Sequence, residues 1–394
     1  MKLGYIHTNK DEQAKVLQVM KMLSESVALD ELGIGRIRDA FSDLMFPGIS
    51  TLQKHMKYFS LMPQLYKKAT EKRYNRLSEV RSEVIRLERL MTKNLVDGSP
   101  EGTVGIIGSE VIGRNSANYV KYDPSYIYNS GLQTFGILRN PQLFELIYAT
   151  SKHLHAQPQK YKSEDEDTAN DSEEKNGLYQ FCSFPVVDYD FTKACTIALT
   201  KEDKAFIVDH ISKAKACQGT LLKYIVEHKE LPLSKEFPGI DENLLPDELR
   251  IMQKRAQQFT DFMYVVHLRY NCIYSEKNGI RDEKMFEKFS LEHDRFKHSG
   301  INIDDVLDMV TLRENSSKMF CREVAACLAS DRIAELDDCI IWRERRVKGT
   351  RRKIGNQAYS YDPKYPVHNY KLSFRWETVR AFVDELRGKE ASNG

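Results

Sequence analysis

The stretch LRIMQKRAQQFTDFMYVVHLRYNCIYSE, residues 249–276, runs for 28 residues without a glycine or a proline. Within it Phe259, Phe262, Met263, Val266, Tyr270 and Ile273 recur three and four apart. That period stacks side chains on one face of an α-helix, whereas a strand would alternate them. A helix this apolar has to be covered by other elements, and the flanking sequence supplies more helices. Downstream, helical patterns fit residues 303–312 and 316–346, and Phe374 to Leu386 fits a closing helix. Upstream, Thr200 and Asp203 are spaced as an N-terminal cap for a helix holding Ala205, Phe206, Ile207 and Ile211.

The same period continues toward the N-terminus. Val16, Leu17, Met20 and Leu23 predict a helix over residues 9–24, and Ile34, Ile37, Phe41 and Leu44 predict a second over residues 34–45. Phe46-Pro47-Gly48 stops it. Ser50 and Gln53 carry the letters of a capping box, which predicts a third helix from there to about Leu61. From Gln64 to Leu95 an amphipathic run places Leu77, Val80, Val84, Leu87 and Met91 in a coiled-coil-like stripe. The expected fold is mainly α and multi-helical, with a helix-turn-helix-like N-terminal module and minor irregular or β segments. Four regions follow: a helical module over 1–100 with a long basic helix, a glycine-rich irregular middle over 101–162, an acidic loop over 163–176 and a helical C-terminal domain over 177–394. The acidic loop contains SEDEDTANDSEE, with seven acids among twelve residues, a composition suited to a solvated, mobile segment.

Composition narrows the class. Charged residues make up 29% of the 394 positions and hydrophobic ones 41%, as in an ordinary folded protein. A net charge of +2 gives no global pull toward polyanions, so any nucleic-acid affinity has to come from local patches. Seven cysteines, odd in number and without a CxxC pair, point to reduced thiols rather than a disulfide framework or a zinc site. The N-terminal residues lack the apolar core of a signal peptide. No apolar stretch approaches the ~18 residues of a membrane span. A cytoplasmic location without membrane contact is expected.

Five blocks carry a resemblance. GIGRIRDAFSDLMFPGIST (Gly33 to Thr51) and KYFSLMP (Lys57 to Pro63) come first. GIIGSEVIG with DPSYIYNSGLQTFGI (Gly105 to Ile137), AQQFTDFMYVVHLRYNCIYSE (Ala256 to Glu276), and RRKIGN with LSFRW (Arg351 to Asn356, Leu372 to Trp376) follow in order. Together they resemble the bacterial family DUF6361, whose function is unknown. The chain departs from the family pattern at Gln53-Lys54-His55-Met56-Lys57-Tyr58-Phe59, where an arginine-rich QTRARYF is usual, and at Asn129, where tryptophan is usual. The resemblance carries no activity and no cofactor. It implies an accessory protein of bacterial anti-phage defence, working beside a helicase or nuclease subunit.

Local charge gives the functional expectations. Trp342 to Lys353 (WRERRVKGTRRK) sets seven bases, Arg343, Arg345, Arg346, Lys348, Arg351, Arg352 and Lys353, against the single acid Glu344. Tyr359, Tyr361, Tyr365 and Tyr370 follow and could stack on bases. Such a segment suits phosphate, an acidic protein surface such as the 163–174 run, or plain solvation. If Ile34 to Leu61 were a DNA-reading helix-turn-helix, Ser50, Gln53, Lys54 and Lys57 would face the groove or its phosphates, with Lys54 and Lys57 as secondary contacts; the same letters also suit an ordinary helical hairpin. Residues 54–89 hold ten bases against four glutamates, which suits either a partner or a solvated helix face.

Signals for catalysis are weaker. Gly108-Ser109-Glu110-Val111-Ile112-Gly113-Arg114-Asn115 lacks the lysine and hydroxyl of a phosphate-binding loop. Asp247, Asp282 and Lys284 have the letters of a metal-dependent nuclease but fall in predicted helix and loop. His153 with His155 and His293 with His298 lack companion ligands, no GxSxG elbow occurs, and His267 reads as a core residue. The expectation is a non-enzymatic nucleic-acid-binding or scaffolding subunit with DNA as candidate ligand. A cryptic metal-dependent nuclease, or an adaptor docking a partner helix on Leu77 to Met91, is the alternative.

Overall fold

The computed structural model describes residues 30–99, 104–112, 120–156 and 180–388. The expected helix over 9–24 and the acidic run over 163–174 lie outside these residues. Among those described the chain is mainly helical, with thirteen α-helices and no strand; one isolated bridge joins Leu138 to Cys182. The helices are α1 (Gly35–Met45), α2 (Lys57–Thr70), α3 (Leu77–Gly98), α4 (Pro124–Thr134), α5 (Leu143–Ala156), α6 (Lys201–Lys213) and α7 (Leu221–Glu227). There follow α8 (Asp247–Lys277), α9 (Glu283–His298), α10 (Ile303–Asp308), α11 (Ser316–Ala329), α12 (Ile333–Lys348) and α13 (Trp376–Arg387). They form two compact units. Among the described residues, unit 1 takes in 30–45 and 232–376, and unit 2 takes in those that fall within 46–231 and 377–388. Each is thus assembled from separated stretches, whereas the sequence patterns divide the chain consecutively.

Unit 1 is built around α8, whose apolar face Phe259, Phe262, Met263, Val266, Tyr270 and Ile273 is fully buried or nearly so. It contacts α1, α9, α10 and α12. Phe41 of α1 stacks on Phe259 at 5.3 Å between ring centroids and meets Phe374 at 5.7 Å. The Arg269 guanidinium, also on α8, grips Asp337 of α12 with two bonds of 2.6 Å. His267 is a core residue, as its setting on an apolar face predicts. It stacks on His368 at 4.9 Å, and burial, with the His368 charge, holds its pKa well below the ordinary value.

Unit 2 is built around α2. Every residue from Met56 to Tyr66 is buried, so this helix is enclosed on all sides rather than amphipathic. That enclosure tolerates Pro63 in the helix interior, where one intrahelical hydrogen bond is lost. Two of its buried polar side chains find partners: Lys57 pairs with Asp203 at 2.5 Å, and Gln64 donates to the Val187 carbonyl at 3.2 Å. Asp203 also completes, with Thr200, the capping box expected at the start of α6.

Four expectations need correction. The Ser50–Gln53 pair does not start a helix: the Gln53 side chain accepts from the Ser50 N–H at 3.0 Å and closes a turn, and α2 begins only at Lys57. α1 and α2 are therefore separated by eleven residues (46–56), longer than the turn of about four residues that a helix-turn-helix needs. The run over 64–95 is broken at Glu71–Arg76 into α2 and α3. Val80, Val84, Leu87 and Met91 are buried within unit 2, where α3 meets α2 and α5, so they present no docking stripe. Finally, the expected helix over 316–346 is two helices, split where Asp331 adopts a left-handed φ of 53°.

Candidate nucleic-acid interface

The basic run begins on the last turns of α12 and ends on a short 3-10 turn at Gly349–Arg351. Its residues do not share one fate. Arg343 points into unit 1, where it donates to the carbonyls of Leu32 (2.7 Å), Ser316 (3.1 Å) and Gly33 (3.1 Å) and to the Ser317 hydroxyl (2.8 Å). Burial lowers its pKa, and its guanidinium lies over the Phe320 ring at 5.3 Å. Its role is structural, so it leaves the set of phosphate contacts. Glu344 also turns inward. Its carboxylate accepts from the Tyr270 hydroxyl and the Lys353 N–H, both at 2.7 Å, and from the Ile354 N–H at 3.1 Å. One buried acid thereby ties the loop after α12 to α8.

Lys348 and Lys353 converge on a second buried acid, Glu31, at 3.3 and 2.9 Å. Arg345, Arg346 and Arg351 remain exposed and Arg352 half-exposed. Arg346 sits 5.1 Å from the ring of Trp342, itself 54% exposed. The solvent-facing part of the run is thus four arginines and an indole, with its single acid withdrawn. Of the tyrosines, Tyr361 is buried and donates to Asp282 at 2.7 Å, Tyr359 is half-buried, Tyr370 is partly exposed and Tyr365 is the most exposed.

Lys54 and Lys57 belong to unit 2. Lys57 is buried against Asp203 and is not available to a phosphate. The Lys54 backbone N–H donates to the Tyr128 hydroxyl at 3.0 Å. Gln53 is buried, with its amide donating to the Gly48 carbonyl at 3.1 Å, so it cannot read a base. Most of the remaining basic excess near α2 and α3 is spent on local pairs: Lys67 with Asp188, Lys68 with Glu71, and Lys72 and Arg86 both with Glu83. Arg73, Arg76 and Arg81 stay exposed.

The residues considered for metal chemistry do not converge. Asp247 starts α8 and pairs with Arg250; Asp282 lies beyond the other end, capping α9. The 31 residues of α8 separate them by about 45 Å at ~1.5 Å per residue. His155, His293 and His298 each bond a backbone carbonyl. Among the described residues no group of three His, Cys, Asp or Glu side chains could hold a metal ion. All seven cysteines are unpaired, and burial raises the thiols of Cys182, Cys272 and Cys321 to about 12, which keeps them unreactive. No helix among the described residues is long and apolar enough to cross a membrane.

Residues in and beside the sequence blocks serve packing within each unit. In unit 2 the Tyr128 hydroxyl accepts from the Lys54 and His55 N–H groups and donates to the His55 carbonyl at 2.8 Å. A Cβ on Gly131 would lie 2.6 Å from the Gly48 carbonyl oxygen. Both nitrogens of His55 face acceptors, the Glu385 carboxylate at 2.6 Å and the Val104 carbonyl at 2.7 Å. Burial opposes its charge, but the Glu385 bond and charge and the Val104 bond raise its pKa overall. The sequence model of a family of unknown function, DUF6361, matches residues 1–281. The chain belongs to this family. The DUF6361 match thus takes in the core of unit 2 and α8, while the exposed arginines of α12 lie beyond it. Searches of curated proteins and of solved structures find no match.

Proposed function

We propose that this DUF6361 protein is a non-enzymatic nucleic-acid-binding subunit that grips backbone phosphates through Arg345, Arg346, Arg351 and Arg352. The observation that supports it most is the burial of Glu344, which removes the only acid of the run and leaves four arginines facing water. Three of these cations also suit the negative end of α12 and the turn after it, but that stabilisation is worth only ~0.3–1 kcal/mol each and does not require arginine. Planar guanidinium groups beside an exposed indole suit phosphate with a stacked base. The anti-phage setting and the helicase or nuclease partner come from the family resemblance and form part of the same proposal.

The test is fluorescence anisotropy with single- and double-stranded DNA across a salt series. Four phosphate contacts predict a log–log slope of roughly −3 to −4. The quadruple variant R345A/R346A/R351A/R352A should lose binding while its melting temperature holds. R73A/R81A, two exposed arginines of unit 2, should retain it. Absence of binding at low salt by the folded protein would sink the proposal. Trp342, exposed at a strongly basic rim, favours a second reading as a protein-docking anchor. In that case pulldown of a partner should fail for Trp342→Ala and survive the arginine variant.

A further inference from the structure

Unit 2 contains a half-open cavity of about 300 Å³ walled by α6, α7 and the last turns of α13. Its floor is aliphatic, made by Val208, Ile225, Val226, Val383 and Leu386, and its rim carries Lys201, Lys204, Lys229 and Arg387. No acid lines it. Lys201, Lys204 and Lys229 have no ion-pair partner among the described residues, although ion pairs are common elsewhere in the unit.

Arg387 is held in place. Its two terminal nitrogens donate to the carbonyls of Leu231 (2.8 Å) and His228 (3.1 Å), and its buried Nε has no partner among the described residues. Neutral carbonyls satisfy hydrogen bonds without cancelling charge. Burial lowers the Arg387 pKa, opposed by the charges of Asp384 and Glu230; Asp384 is itself 3.7 Å from Arg380. A fixed, incompletely compensated cation therefore stands with three lysines around an apolar hollow of ligand size.

We propose that this cavity binds a single-chain amphiphile with an anionic head, its chain on the valine and leucine floor and its carboxylate or phosphate among the four cations. An uncharged chain would leave the rim repulsion unrelieved, and a bare anion would leave the apolar floor wet. Neither half of the site explains the other, and only a ligand with both parts fits both.

Isothermal titration of the full chain with decanoate, decyl phosphate, decanol and inorganic phosphate separates these cases. The amphiphilic anions should bind with one-to-one stoichiometry, and decanol and inorganic phosphate should bind at least about tenfold more weakly. Decanoate against decyl phosphate distinguishes the two head groups. Lys204→Ala, at a half-buried position, and Lys229→Ala, at an exposed one, should each weaken anion binding several-fold while the melting temperature holds. Val226→Trp should fill the cavity and abolish it. If Val226→Trp fails to fold, the two lysine variants still decide. No saturable anion binding, equal binding of decanol, or affinity indifferent to both lysine variants would overturn the site.

Discussion

Glu88 is fully buried on α3, and its carboxylate accepts from the Ser125 N–H at 2.7 Å and from the Ser125 hydroxyl. Burial, aided by the charge of Asp123, pushes its pKa up to about 8 despite those two bonds. The folded protein therefore retains a proton that the unfolded chain releases above its ordinary carboxylate pKa of 4.5. Stability should fall as pH rises between those values, by on the order of 3 kcal/mol at neutral pH. Glu88→Gln keeps the shape and removes the titration. It should raise the melting temperature at pH 7.5, leave it nearly unchanged at pH 4.5, and flatten the profile between. Equal pH profiles for the two proteins in calorimetry would show that Glu88 is already charged when folded. Arg343 illustrates a different limit at this scale. Within WRERRVKGTRRK its letters match Arg345, yet carbonyls about 310 positions earlier in the chain claim it. Nothing local distinguishes the arginine that turns inward from the one that turns out.

At the scale of elements, legibility followed local chemistry. α1, α6, α8 and α13 are read from apolar spacing to within a few residues, and the α6 cap from Thr200 and Asp203, because short-range contacts decide them. α2 was misplaced because its start depends on long-range enclosure: tertiary burial overrides Pro63, while the Ser50–Gln53 letters satisfy a turn instead. The break between α11 and α12 carries neither glycine nor proline, only Asp331 in a left-handed conformation. Gly131 is the reverse case. A glycine in mid-helix ordinarily weakens a helix, so alanine there would be expected to help. Here a Cβ would meet the Gly48 carbonyl at 2.6 Å and the Phe59 ring at 2.8 Å. Gly131→Ala should destabilise the protein by about 1–3 kcal/mol, read as a drop in denaturant midpoint at unchanged m-value. A neutral or stabilising effect would mean that α4 can slide away from the turn at Gly48.

At the scale of the molecule, the sequence showed the class but not the wiring. A mainly helical protein follows from periodicity alone, yet the pairing of residues 30–45 with 232–376 rests on contacts such as Phe41 with Phe259 and Phe374. The candidate interface was legible as a concentration of arginine, and its effective membership was not, since Glu31, Leu32 and Gly33 settle which bases are consumed. The family match ends at residue 281, before α9 to α12 and before the part of α13 that completes unit 2. Residues 1–281 expressed alone should therefore lack cooperative thermal unfolding and bind a hydrophobic dye. A sharp, dye-silent transition for that fragment would show that the later helices are dispensable.

The return of the chain to unit 1 also sets a timetable for the ribosome. α1 emerges early with Ile37, Phe41 and Met45 ready to be covered, but the rings that cover Phe41 include Phe374, some 330 residues later. At about 5–20 residues per second, translation takes roughly 17–65 s to deliver that partner. Meanwhile unit 2 can mature, apart from its final helix, while α1 waits first for Phe259 and then for Phe374 to cover its greasy side. Newborn chains are thus the form most in need of a chaperone, and protease digestion of ribosome-stalled intermediates would show α1 becoming fully protected only after Trp376 itself has left the exit tunnel.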